Sequence, residues 1–246
     1  MPHHEPVSLS RLKIACSNCS LHEICLPAGL DKAELTKLDD AVRRRRTVKR
    51  GDYLYRAGAP LQALFAVRTG FLKSRLMHED GREQVTGFHM MGELIGMEAI
   101  GTEQHTCDTT ALEDSELCEI PYAKLEELTR EMPGLQRHFH RMMSREIVRD
   151  HGVMLLLGSM RADERLIAFL VNLSQRFAAR GYSPTEFHLR MTREEIGSYL
   201  GLKLETVSRS FSKFQSEGLI SVQSRHIRIL DLDRFRSSLS AASCPS

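Results

Sequence analysis

Residues 191–230, MTREEIGSYLGLKLETVSRSFSKFQSEGLISVQSRHIRIL, constrain this chain more than any other stretch. Thr192 is a good helix N-cap, and Glu195 three residues on completes a capping box. Ile196, Tyr199 and Leu200 supply a helical apolar face that Gly201 ends in a tight turn. The spacing predicts a second helix over 204–217, burying Val207, Phe211 and Phe214 and stopping at Gly218. The short alternating run that follows reads as a small β-wing. Glu205, Ser208, Arg209 and Lys213 remain on the open face of the second helix, which is the chemistry a reader of the DNA major groove needs. The bland alternative is an αα-hairpin with a solvated charged face. Turn, spacing and wing together argue against it.

Basicity elsewhere is no guide to a partner. The chain has 246 residues, room for one large or two modest domains, and its 34 basic and 32 acidic residues leave a net charge of +2. Between Arg190 and Arg228, however, there are seven Lys/Arg against four Glu, so the expected reader is locally basic. No run approaches 18 apolar residues and no apolar signal core opens the chain, so a cytoplasmic protein with no membrane partner is expected. No nucleophile–base pair, phosphate loop or paired-carboxylate motif stands out. An enzyme is not expected, and no catalytic residue is assigned.

Six cysteines occur, and three of them cluster as Cys16-Ser-Asn-Cys19-Ser-Leu-His-Glu-Ile-Cys25. Thiols this close bind a metal or cluster readily, because one short loop wraps several ligands round it. Three thiolates leave a tetrahedral zinc or an iron–sulfur cubane one ligand short. Cys107, Cys118 or Cys244 could complete either, and His22 could complete zinc; spacing alone does not choose between the two metals. His3 and His4 are further candidates, although a solvated tail suits them better.

A short helix is expected over 30–42, with Leu30, Leu35, Leu38 and Val42 at helical spacing. The basic run Arg43 to Arg46, with Lys49 and Arg50, reads as the solvated start of a strand rather than a nucleic-acid patch. From 49 to 120 short β-like runs are cut by glycines, with Asp80-Gly81 marking a hairpin, which suggests a β-roll or jelly roll. Pro121 opens a short helix and Pro133 a long one reaching Ser159. Along that helix Leu135, Phe139, Met142, Val153 and Leu157 fall in one stripe, the pattern of a helix that packs against a twin. Glu146 and Asp150 lie in the middle of the stripe, while Arg137, Arg141, Arg145 and Arg149 run along a neighbouring face. A further amphipathic helix is expected over 162–180.

A glycine-punctuated roll, a long seam helix and a winged helix-turn-helix, in that order, resemble the CRP/FNR superfamily of transcription regulators. The similarity is greatest to its FNR branch of oxygen-responsive iron–sulfur regulators. It rests on the C-x2-C-x5-C run and on EQVTGFH (83–89), ALEDSELCEIP (111–121), MLLL (154–157), ERLIAFLVNLS (164–174) and IGSYLGLKLETVSR (196–209). The resemblance implies an α+β fold. A cysteine-rich sensor segment (1–29) and a cyclic-nucleotide-binding-like β-roll (30–132) would precede a dimerisation helix (133–160) and a winged helix-turn-helix domain (161–246).

The implied function is DNA-binding regulation of anaerobic gene expression through an oxygen-labile [4Fe–4S] cluster held by Cys16, Cys19, Cys25 and Cys118. Cys107 matches no ligand position, and Cys244 sits in a small-residue terminus. The alternative is a regulator of the same fold whose cysteines bind zinc or act as a thiol/disulfide switch. Implied partners are double-stranded DNA, RNA polymerase through roll loops near 79–83 and 110–116, and a second copy when the cluster is loaded. Cyclic nucleotide is not expected: Gly92-Glu93-Leu94 is present, but His105 and Thr106 stand where nucleotide-binding members keep an Arg-Ser phosphate clamp. The expected dimer interface is Glu146, Ile147, Asp150, Met154 and Leu157. Asp150 meeting its own copy would make association marginal and so switchable. The implied DNA contacts are Glu205, Ser208 and Arg209, with Lys203, Thr206 and Lys213 beside them. Leu204 replaces an arginine of the CRP branch, so the half-site should be TTGAT-like rather than TGTGA-like. Lys203 departs from the Ser or Thr expected as this helix's N-cap, and reaches phosphate instead.

Overall fold

A computed structural model describes residues 16–42, 44–78 and 80–241. His3, His4, Arg43, Glu79 and Cys244 lie outside the described residues. The glycine-cut region folds into strands β1 (Arg44–Val48), β2 (Tyr53–Tyr55), β3 (Ala63–Thr69), β4 (Phe71–Met77), β5 (Glu83–Met90), β6 (Leu94–Ile95), β7 (Asp108–Ala111) and β8 (Ser115–Pro121). They pair antiparallel in two four-stranded sheets, ordered β1-β8-β3-β6 and β2-β7-β4-β5. Side chains alternate across a strand, so an apolar run of period one means that both faces are covered. In β3, Phe65 and Val67 meet Leu72, Ile95 and Leu117 inside the roll, whereas Leu64 and Ala66 face a second core of helical residues. The Asp80-Gly81 hairpin forms as expected, with Gly81 at φ 84°.

Three helices close the outer face of the first sheet: α1 (Lys32–Ala41), α2 (Tyr122–Glu131) and α3 (Pro133–Ser159). Leu30 falls outside α1 because Asp31 caps the helix, accepting from the Ala33 and Glu34 amides. The apolar stripe of α3 is split between two jobs, a correction to the reading of it as one seam. Leu135, Phe139 and Met142 are buried in their own chain against Leu26, Leu125 and Leu128, since α2 folds back on α3. The unpartnered apolar residues lie further along, at Ile147 (55% exposed), Val148, Met154 (61%) and Leu155.

The remaining elements are α4 (Ala162–Ala178), β9 (Glu186–His188), α5 (Arg193–Leu200), α6 (Leu204–Ser216), β10 (Ile220–Gln223), β11 (His226–Ile229) and α7 (Leu232–Ala241), with a three-stranded sheet β10-β11-β9. Leu166, Phe169, Leu170, Ile196, Leu200, Val207, Phe211 and Phe214 form their core. That core continues into the roll through Phe71, Val85, Phe88 and Met90. Lys73 Nζ donates to Glu195 Oε1 at 2.6 Å, and the Val85 amide donates to Ser198 Oγ at 2.9 Å. The junction of α3 and α4 is pinned by Arg165, which donates to the carbonyls of Leu157, Met160 and Leu200. Among the described residues no helix is long and apolar enough to cross a membrane.

Candidate functional site

Cys16 opens a 3₁₀ turn, and the loop behind it winds through successive turns. The Cys19 amide donates to Cys16 O, that of Cys25 to Leu21 O, and that of Ala28 to Cys25 O. The Cys16 amide is held by the Asp39 carboxylate of α1, and His138 Nε2 of α3 lies 3.2 Å from the Cys25 carbonyl oxygen. Cys118 comes from elsewhere. On the central strand β8 it faces Arg45 of β1 and Ala66 of β3 in register, on the side that the loop covers. The sheet thus presents one thiol to the three of the loop. All four line a single cavity of about 140 Å³, with His22, Arg45 and Arg68 also in its wall.

All four thiols are free. Burial, reinforced by Asp39 and neighbouring cysteines, pushes the Cys16 thiol well above its ordinary range. Burial likewise pushes Cys25 up to about 12. Cys118 is raised by burial and by Cys19, with Arg68 and Arg45 acting in the other direction. Such thiols stay protonated near neutrality, so metal loading must expel their protons. Cys107 is elsewhere, buried inside the roll with its Sγ 3.7 Å from Glu98 Oε1.

The reader is built as its sequence predicts. Thr192 Oγ1 accepts from the Glu195 amide, and Glu195 returns a bond to the Thr192 amide. Gly201 ends α5 at φ 62°. Gly197 is required for a reason that spacing did not reveal: a Cβ there would sit 2.5 Å from the Leu202 carbonyl oxygen. On α6, Val207, Phe211 and Phe214 are buried, Glu205 and Arg209 are exposed, and Thr206 and Ser208 are half-buried. Lys203 occupies the N-cap without a side-chain cap bond. Lys213 is tied at 2.7 Å to Asp163 of α4, which also accepts from Ser210. Arg209 and Glu205 are left as the open charged pair of the reading face.

The five expected interface residues do not share one environment. Ile147, Asp150 and Met154 are exposed, and Asp150 makes no salt bridge among the described residues. Glu146 instead pairs with Arg149 three residues on, and burial raises its carboxyl pKa. Leu157 is half-buried against the C-terminal core. Inside the roll, His105 is buried, stacked on Tyr55 at 3.6 Å and bonded to Glu98 at 2.9 Å. That ring is committed to the roll's own packing.

A β-roll with a thiol loop on its flank, docked on a winged helix-turn-helix, is the architecture of a two-part DNA-binding regulator. Residues 45–132 match the cyclic nucleotide-binding domain family, and residues 164–238 match the Crp-like helix-turn-helix domain family. The chain is 47% identical over 238 residues to the transcriptional regulatory protein btr of Bordetella pertussis, covering 97% of this chain and 98% of that one. It is 48% identical to the transcriptional activator protein anr of Pseudomonas aeruginosa, covering 88% of each. Its identity to the fumarate and nitrate reduction regulatory protein of Escherichia coli K12 is 45%, covering 89% of this chain and 88% of that one. Among solved structures, FixK2 of Bradyrhizobium japonicum superposes with a TM-score of 0.73 at 28% identity, covering 78% of this chain and 95% of that one. The chain belongs to the FNR branch of the CRP/FNR superfamily, and is a DNA-binding transcription regulator rather than an enzyme.

Proposed function

We propose that this regulator governs anaerobic gene expression through an oxygen-labile [4Fe–4S] cluster held by Cys16, Cys19, Cys25 and Cys118. One observation carries the reading: four free thiols from two distant parts of the chain line one small cavity. The donor set suits a cubane, which takes four thiolates. Four thiolates also suit a tetrahedral zinc ion, and iron and sulfide content separates the two. The cluster's chemistry is that of an oxygen-sensitive switch. The protein's part is to orient and couple: Asp39 fixes the Cys16 end of the loop, and His138 ties the Cys25 end to α3.

Two copies would meet along α3 through Ile147, Val148, Met154 and Leu155, bringing each Asp150 towards its twin. Two carboxylates about 4 Å apart repel by roughly 4 kcal/mol at an effective dielectric near 20. Association is then marginal until the loaded thiol loop braces α3. The dimer reads a TTGAT-type palindrome, with Arg209 on guanine O6 and N7, Glu205 accepting from a base amino group and Ser208 on a neighbouring edge. The turn at 112–114, where Asp114 is exposed, and the hairpin near 80–83 face RNA polymerase. Cyclic nucleotide has no part, since His105 is engaged with Glu98 and Tyr55.

The test is a titration of palindromic DNA, with sedimentation to read oligomeric state. Anaerobic protein should bind as a dimer and lose binding in air, while Asp150→Ala remains dimeric and bound in air. A monomeric, inactive Asp150→Ala protein would sink the account of the seam.

A further inference from the structure

Gly92-Glu93-Leu94 is shared with nucleotide-binding members of the superfamily, yet here its glutamate is engaged by arginines of the chain itself. The Glu93 carboxylate accepts from Arg176 Nη2 at 2.7 and 3.0 Å, from Arg176 Nε at 3.1 Å and from Arg180 Nη2 at 2.7 Å. Arg149 Nη1 stands 3.9 Å away on the same carboxylate and also pairs with Glu146. These groups are largely shielded, with side-chain exposures of 14% for Glu93, 15% for Arg176, 9% for Arg180 and 22% for Arg149.

The cluster also gathers backbone from the roll. Arg176 donates to Phe88 O at 2.6 Å and Arg180 to Met91 O at 2.6 Å. Burial works against the charge on Glu93, but Arg176, Arg180 and Arg149 hold its pKa down at about 2. The carboxylate therefore stays ionised under all physiological conditions. Guanidinium forks of this kind fix orientation, because their donors bind only in plane and in pairs.

Three parts of the molecule meet on this one carboxylate. Glu93 belongs to the roll, Arg149 to the helix expected to form the dimer axis, Arg176 to α4, which packs against the reader, and Arg180 to the turn that follows α4. The thiol loop touches the same turn: a Cβ on Gly92 would sit 2.8 Å from Ile24 Cδ1, and Ile24 precedes Cys25.

We propose that Glu93 is the positioning residue that fixes the reading helix relative to the dimer axis, and so sets which half-site spacing the regulator accepts. This rests on the reading that two copies bind a palindrome. One base pair added between half-sites displaces them by about 3.4 Å and rotates them by about 34°, since a turn of about 10 base pairs spans about 34 Å. A reader clamped to its dimer helix cannot follow such a change. Without Glu93 the reader keeps the Lys73–Glu195 and Val85–Ser198 bonds, the Arg165 bonds and the aromatic contacts of Phe88, Phe169 and Tyr199, but it loses the tie that joins roll, α3 and α4 and gains rotational slack.

The experiment measures anaerobic affinity for the native palindrome, for palindromes lengthened or shortened by one base pair, and for a single half-site. Wild type should favour the native spacing by at least about tenfold. Glu93→Gln should shrink that preference several-fold, while half-site affinity changes by less than about twofold. Arg180→Gln, which leaves Arg176 on Glu93, should give an intermediate loss and decides the matter if Glu93→Gln fails to fold. Folded variants with an unchanged spacing preference would overturn the proposal alone. Wild type binding palindrome and half-site equally well would overturn the two-copy reading, and this proposal with it.

Discussion

Within 192–218 the reader takes its cap, turn, stop and apolar face from neighbouring residues. The thiol site takes Cys16, Cys19 and Cys25 from one loop but Cys118 from the middle of a sheet, beside Arg45 and Ala66 of two other strands. The first is complete in a single chain: α6 is packed, tied to α4 through Asp163, and leaves Glu205 and Arg209 open. The second is a cavity ringed by thiols whose protons must leave before it can hold a metal. The difference teaches where regulation can act. On the proposed reading, control comes from the region assembled at long range, through the contacts on α3 and the carboxylate of Glu93.

The largest expected effect that sharpens this contrast concerns the sensor half in acid. His89 is buried in β5, bonded to Ser74 Oγ at 2.8 Å, and burial together with Arg149 lowers its pKa from 6.5 to about 3. The unfolded chain takes up a proton below pH 6.5 that the folded roll refuses. Stability is therefore retained above that pH and lost as pH falls towards 3, at up to about 1.4 kcal/mol per unit. Denaturant titrations between pH 7 and 4 should show this slope in wild type and a flatter one in His89→Gln. Equal slopes would remove His89 as the cause.

Next comes Arg209→Ala. It should cost about 1–3 kcal/mol of discrimination at one guanine position and leave binding to sequences already mismatched there nearly unchanged. Competition titrations against single-base variants measure it, and a uniform loss across all sequences would make Arg209 a phosphate contact instead. The smallest effect belongs to Lys203→Ala. It should weaken every sequence by less than about 1 kcal/mol and lower the salt slope by about one unit, read from binding isotherms at several salt concentrations.

Legibility in the sequence followed the same division. Periodicity and capping chemistry located α3, α5, α6 and the wing, because those elements are decided by residues within one or two turns of each other. The seam on α3 was only half legible: Leu135, Phe139 and Met142 have the spacing of a dimer stripe, but α2 folds back and buries them. Periodicity cannot say which surface an apolar face meets. The thiol loop was visible from spacing, while Cys118 was one of three candidates for the fourth thiol and was singled out only by family resemblance, since nothing local marks it as facing the loop. Arg45, Arg68 and His138 around the cavity, and the grip of Arg176 and Arg180 on Glu93, left no sequence signal. They depend on side chains brought together by strand register and by the docking of α4 on the roll.

The most direct measurement is metal and sulfide content of the anaerobically purified protein, followed by absorbance during exposure to air. The account predicts a brown protein with about four irons and four sulfides per chain. It should bleach in air as DNA binding is lost, and Cys118→Ser should be unable to hold that content. A colourless protein carrying one zinc per chain and binding the palindrome equally well in air would contradict it.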